Sequence, residues 1–220
     1  MSPDIVAAAC DEAHKLGYKV AAHVESPEGV RVALQNGVDT IEHGAKPDDE
    51  IIRLFKERGA ADICTISPAL PYCLFDLDVS HTDELGKHNG TIVMDGIIEC
   101  AKKCLEEGIP VGIGTDTGCP FIRHYDMWRE VIYFVKYCDV TPTFALYTAT
   151  KRNAEIIGLG DVTGTIEAGK SADIIVSSEN PLENLKTLKN LKMVMASGKL
   201  YRDQRIKKDE YIDSVLDQYL

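Results

Sequence analysis

Three short apolar runs each end in a residue able to ligate a metal. "YKVAAHVES" carries His23, "VDTIEHG" carries His43 and "IPVGIGTDTG" carries Asp116. Neutral imidazole and carboxylate suit a catalytic divalent cation, zinc first, which typically keeps three protein ligands and one open position. Each run is β-branched or small and lacks the alternation of a half-exposed sheet, so each reads as a buried parallel strand. Residues at the carboxyl ends of parallel strands point into one crevice, where α/β folds place their chemistry. Together the three predict a metallohydrolase. Singly, each has a plainer use: a histidine after a strand serves as a hydrogen-bonded structural residue, and an aspartate before Thr-Gly serves as a turn or N-cap residue.

The elements that must position these groups alternate. Periodicity predicts a helix over 4–16, then the strand to His23. "SPEGVRVALQNG" opens with Ser26 as N-cap, Pro27 at the first helical position and Glu28 in the first turn, and closes on Gly37. The strand to His43 follows, then a helix in "PDDEIIRLFKERG", acidic at its start and basic at its end, then the strand "AADICTIS". Residues 67–88, with two prolines and no clear period, read as a long loop of the lid or binding kind. Helices are expected over 89–107, 124–137 and 141–157, with the strand to Asp116 between the first two. Such βα repetition with right-handed crossovers implies a parallel sheet with helices outside. From about residue 160 strand-like alternation with glycine turns takes over, in "GTIEAGKSADIIVSSENP" and "LKMVMASGKLYRD". The end, "KKDEYIDSVLDQYL", reads as a polar helix or tail.

Composition narrows the partners. A net charge of −11 and no clustered Lys/Arg argue against nucleic acid. No apolar stretch reaches the roughly 18 residues of a membrane span. The amino-terminal stretch is an amphipathic helix and not a signal peptide, so a cytoplasmic location without membrane association is expected. Seven cysteines without C-x-x-C spacing argue against a disulfide framework, and Cys100 with Cys104, sharing a helix face, read as core packing.

Weaker signals surround the main three. Tyr72 follows a strand end and Arg123 and His124 stand just past Asp116, positions from which a substrate or its carboxylate can be bound. His81 and His88 fall in the long loop. Cys119 with His124 lacks an orienting third group for thiol catalysis. "GTIEAGKS", Gly164 to Ser171, fits a phosphate-loop pattern, but "ADIIV" continues as a strand where that loop needs a helix, so the match is accidental.

Four stretches carry a family resemblance: "CDEAHKLGYKVAAHVES", "GVDTIEHG", "EEGIPVGIGTDTG" and "ALYTATKRNAEIIGLGDVTGTIEAGKSADIIVSSENPLENL" with the later "VMASGKL". In this order they resemble the carboxyl-terminal half of the amidohydrolase superfamily, in its imidazolonepropionase-like and Xaa-Pro dipeptidase-like branches. The resemblance implies an α/β fold: strands 5–8 of a (β/α)8 TIM barrel over residues 1–159, a small β-sandwich portion over 160–203 and a terminal helix or tail over 204–220. It implies His23 and His43 as metal ligands and Asp116 as ligand and proton shuttle. The family's strand-1 His-x-His and strand-4 carboxylated lysine have no counterpart; no H-x-H occurs in the chain.

Three functions remain open on this reading. The first is hydrolysis of a carbon–nitrogen bond in a small amide, dipeptide or cyclic amide. It uses a divalent metal, zinc by preference, and needs the missing amino-terminal half barrel from another source or a homo-oligomer. The second is a non-catalytic half barrel acting by association. The third is a small-molecule binding module.

Overall fold

The computed structural model describes residues 1–202 and 206–220; the boundary expected at 203–204 lies outside the described residues. The chain divides into two compact units, Met1–Gly114 and Thr115–Leu220.

The first unit alternates as expected: α1 (Pro3–Lys15), β1 (Ala21–Val24), α2 (Pro27–Gln35), β2 (Thr40–His43), α3 (Asp49–Arg58), β3 (Ala61–Cys64), α4 (Ile66–Leu74), α5 (Leu77–Ser80), α6 (Glu84–Glu106) and β4 (Val111–Ile113). The strands form one parallel sheet in the order β1-β2-β3-β4. Consecutive parallel strands need crossovers, and here helices supply them. Local chemistry sets the helix ends. The Ser26 hydroxyl accepts from Gly29 N at 3.3 Å, and Pro27 stands at the first helical position. Asp48 caps α3 through Ile51 N at 3.0 Å, and Gly59 closes that helix in the left-handed region. Ile41, Ile51, Phe55, Ile66, Leu70 and Ile97 are buried between sheet and helices.

The stretch 67–88 is not a loop. It is helical through α4, α5 and the first turn of α6, which begins at Glu84, five residues earlier than periodicity predicts. Pro71 lies inside α4, so the proline that argues against a helix is tolerated in a segment with buried Ile66, Ala69 and Leu70. Tertiary burial outweighed local propensity.

The second unit contains α7 (Met127–Cys138), α8 (Pro142–Tyr147), α9 (Asn153–Ile156), β5 (Ile174–Val176), β6 (Met193–Ala196), β7 (Lys199–Tyr201) and α10 (Glu210–Leu216). The single helix expected over 141–157 is instead α8 and α9 joined by a π-helical turn, Thr148–Arg152. Within it Thr150 Oγ1 donates to Leu146 O at 2.7 Å, the kind of side-chain bond that loosens a helical ladder. β5, β6 and β7 make a three-stranded antiparallel sheet. Ser197 and Gly198, both at positive φ, turn β6 into β7. β5 follows the "GTIEAGKS" stretch with no helix between them, so the phosphate-loop geometry is not formed. Arg129, 1% exposed, binds Asp126, Asp213 at 2.9 Å and Asp217 at 2.6 Å, fastening the carboxyl-terminal helical turns to α7.

Candidate active site

β1 and β2 run in register, with Val24 opposite His43 and His23 opposite Glu42. The Gly44 N–H donates to Val24 O at 3.1 Å and prolongs this pairing past the end of β2. Although this register pairs each histidine with a different residue, the two rings meet edge to face, centroids 4.6 Å apart at 79°. Glu25, two residues beyond His23 and therefore on the same strand face, joins them: one ligand atom from each of the three lies within 4.8 Å of the others. Two imidazoles and a carboxylate fit a divalent cation of the zinc type by donor chemistry.

The two histidines are held differently. His43 is buried, 4% exposed, and its Nδ1 hydrogen-bonds Thr65 Oγ1 at 2.6 Å. Thr65, also buried, directly follows β3 and precedes α4. Binding one ring nitrogen in this way fixes which nitrogen meets a ligand. His43 has φ 75°, a left-handed backbone that a β-carbon disfavours by about 1–2 kcal/mol. Such outliers gather at functional sites. His23 and Glu25 are exposed. An open groove of about 600 Å³ beside them is lined by residues of α1, β1 and α2, among them Val6, Cys10, Ala22, His23 and Glu25.

Asp116 follows β4 by three residues, exposed and at φ 50°, and its Oδ2 accepts from Cys119 Sγ at 3.0 Å. Tyr72 lies within α4, not in a loop. α6 crosses it at Gly90, where an added β-carbon would stand 2.7 Å from Tyr72 Cβ. Arg123 pairs with Asp209 at 2.8 Å. His124 is exposed beside the Tyr125 ring, centroids 5.8 Å apart. His81 takes the left-handed position after α5, and His88 is exposed on α6. The reading of the sequence passed over Glu25 and Thr65. The i,i+2 spacing of His23 and Glu25 was a visible signal; nothing in the sequence links Thr65 to His43, 22 residues away.

A model of the amidohydrolase family matches residues 1–201. This chain belongs to the amidohydrolase family. It is 27% identical over 210 residues to the ochratoxinase of Aspergillus niger, covering 91% of this chain and 42% of that protein. Among solved structures, a Bifidobacterium longum protein assigned provisionally as a prolidase shares 41% identity with a TM-score of 0.96, over 99% of this chain and 55% of that one. A Xaa-Pro dipeptidase crystallised with methionine in its active site shares 30% identity with a TM-score of 0.83, over 92% and 49%. The amidohydrolase chain spans about half the length of the relatives it matches. Among the described residues no helix is long and apolar enough to cross a membrane.

Proposed function

We propose that the chain is the carboxyl-terminal, metal-holding part of a hydrolase of carbon–nitrogen bonds in small amide, dipeptide or cyclic-amide substrates. One observation carries this reading: His23 and His43 converge at the carboxyl ends of adjacent parallel strands, with Glu25 beside them. Prolidase, Xaa-Pro dipeptidase and ochratoxinase relatives support the substrate class. On this reading the sheet is strands 5–8 of a (β/α)8 barrel. Residues 1–159 are its barrel portion, β5, β6 and β7 belong to a small β-sandwich, and 204–220 close the chain.

His23 and His43 would hold the cation, zinc by preference, with Glu25 available as a further oxygen. A divalent metal, when bound, acidifies water and polarises a carbonyl. The chain's own residues do the remainder. Thr65, bonded to Nδ1, presents His43 through Nε2. Asp116 takes a proton from water at its carboxylate and returns it to the leaving nitrogen. Tyr72, Arg123 and His124 are the candidates for gripping substrate. β1 is an outer strand of the sheet, and its unpaired side, with the groove along it, is where strands of the other half barrel would add. An exposed strand edge of this kind favours association.

Plasma mass spectrometry on chain purified without chelator tests the site. The chain should carry one more equivalent of divalent metal than its His23→Ala/His43→Ala variant. Equal metal content in both removes the assignment. Hydrolysis of Xaa-Pro dipeptides or N-acyl amino acids by the complete barrel, lost in Asp116→Asn, tests the chemistry; hydrolysis at full rate in that variant removes Asp116 as proton carrier.

A further inference from the structure

Beneath the segment that follows His43 lies a second group of ligating side chains, which the proposed reaction does not use. Asp62 of β3 and Cys100 and Cys104 of α6 bring one oxygen and two sulfurs within 4.8 Å of one another. All three residues are 0% exposed. The two cysteines are four apart and share one face of the helix. Cys100 Sγ lies 3.4 Å from Asp62 Oδ1. In a tetrahedral zinc site with ordinary bond lengths, sulfur and oxygen ligands stand about 3.6 Å apart. The Ala45 N–H donates to Cys100 Sγ.

The backbone is fitted around this group. A β-carbon on Gly44 would stand 2.9 Å from both Asp62 Oδ1 and Cys100 Sγ. Only glycine, here at φ 84°, allows the chain after His43 to close over Asp62 and Cys100. Gly96, one turn before Cys100 on α6, lets the helix approach Ala45 Cα to 3.3 Å from its own would-be β-carbon. Packing accounts for a single buried cysteine. It does not call for a fully buried carboxylate set against two thiols, a donor set that selects soft cations.

We propose that Asp62, Cys100 and Cys104 form a second, buried site for a thiophilic divalent cation such as zinc, tying β3 and α6 to the segment that carries His43. On ligation each thiol releases its proton to solvent as the metal–sulfur bond forms, the carboxylate binds as the anion, and no electron is transferred. In the metal-free protein the thiols stay protonated. The adjoining Cys104 sulfur and then burial push Cys100 well above its ordinary value. Cys104, although lowered by Cys100, is raised overall by burial. A site so enclosed loads as the chain folds.

Cobalt(II) is the probe, because thiolate ligands give it an intense sulfur-to-metal charge-transfer absorption that imidazole and carboxylate do not. The chain produced in cobalt-supplemented medium should show that band. The band should persist in His23→Ala/His43→Ala, so the result stands apart from the fate of the proposed catalytic site. It should vanish in Cys100→Ser/Cys104→Ser and change in Asp62→Asn. Absence of the band from the cobalt-loaded wild-type chain, or its survival in the double cysteine variant, overturns the proposal. Should the cysteine variant not fold, zinc-edge X-ray absorption on the wild-type chain decides: sulfur in the first shell is expected, and a shell of nitrogen and oxygen alone overturns it.

Discussion

At the amino end of the parallel sheet His14 Nε2 meets Asp39 Oδ2 at 2.7 Å, Arg58 Nη2 meets Asp39 Oδ1 at 3.0 Å, and Val20 N–H donates to the same carboxylate at 2.8 Å. At the carboxyl end His23, His43 and Glu25 converge. Both groups contain histidine and a carboxylate, and both sit where β1 and β2 lie side by side. They differ in what is present to neutralise the carboxylate. At the amino end a guanidinium, an imidazole and a backbone amide surround Asp39, so the group is closed and its work is to staple α1, β2 and α3. At the carboxyl end two imidazoles and a carboxylate face one another, two of the three residues are exposed, and the donor set is open to a cation. On the proposed function, the comparison separates stability from chemistry along one sheet, the division that (β/α) folds show between their two faces.

The largest test of this division is chemical. Asp116→Asn should lower amide hydrolysis by the complete barrel by about 10²–10⁴-fold, the usual worth of a positioned proton carrier. Its thermal midpoint should stay close to wild type, since Asp116 is exposed.

Breaking the other end should do the reverse. Asp39→Ala removes charge-assisted bonds worth about 1.5–3 kcal/mol each before compensation. Urea unfolding should therefore show a loss of about 2 kcal/mol. Metal content should be unchanged, and a variant that loses metal instead would mean the two ends are not independent.

Thr65→Val sharpens the comparison from the chemical side. Removing the hydroxyl that fixes His43 should weaken zinc affinity by about 10–100-fold in a competitive chelator titration. Unchanged affinity would show that packing alone orients the ring.

The smallest effect is a pH slope. Partial burial works to raise the Asp39 carboxyl, but the hydrogen bonds from His14 and Val20 and the charge of Arg58 hold it below its ordinary value. Its folded value is depressed, so its contribution is present above the unfolded value of about 3.9 and is lost as pH falls through the folded value. Stability measured from pH 7 down to about pH 3 should decline less steeply in Asp39→Asn than in wild type. An unchanged slope would move the acid sensitivity to other carboxylates.

Much of this was legible in the residues. Ser26, Pro27, Asp48 and Gly59 mark helix ends by chemistry that acts within one turn, so a local reading suffices. The run before His43 marks a buried parallel strand for the same reason; the strand before His23, expected to be buried as well, has no buried residue, because β1 stands at the edge of the sheet. The helices of 67–88 were not legible, because burial of Ile66, Ala69 and Leu70 supplies what local propensity withholds. The π-turn at Thr148–Arg152 was equally hidden, since a widened turn keeps the helical pattern of its side chains.

The sequence by itself determined the family and the succession of α1, β1, α2, β2, α3 and β3, since periodicity and short motifs are properties of neighbours along the chain. Tertiary structure alone decided that Glu25 joins the histidines, that Thr65 orients His43 and that Asp62 meets Cys100 and Cys104. Parallel strands place side by side residues that are about 20 to 40 positions apart, and no local rule of spacing specifies which of them will touch.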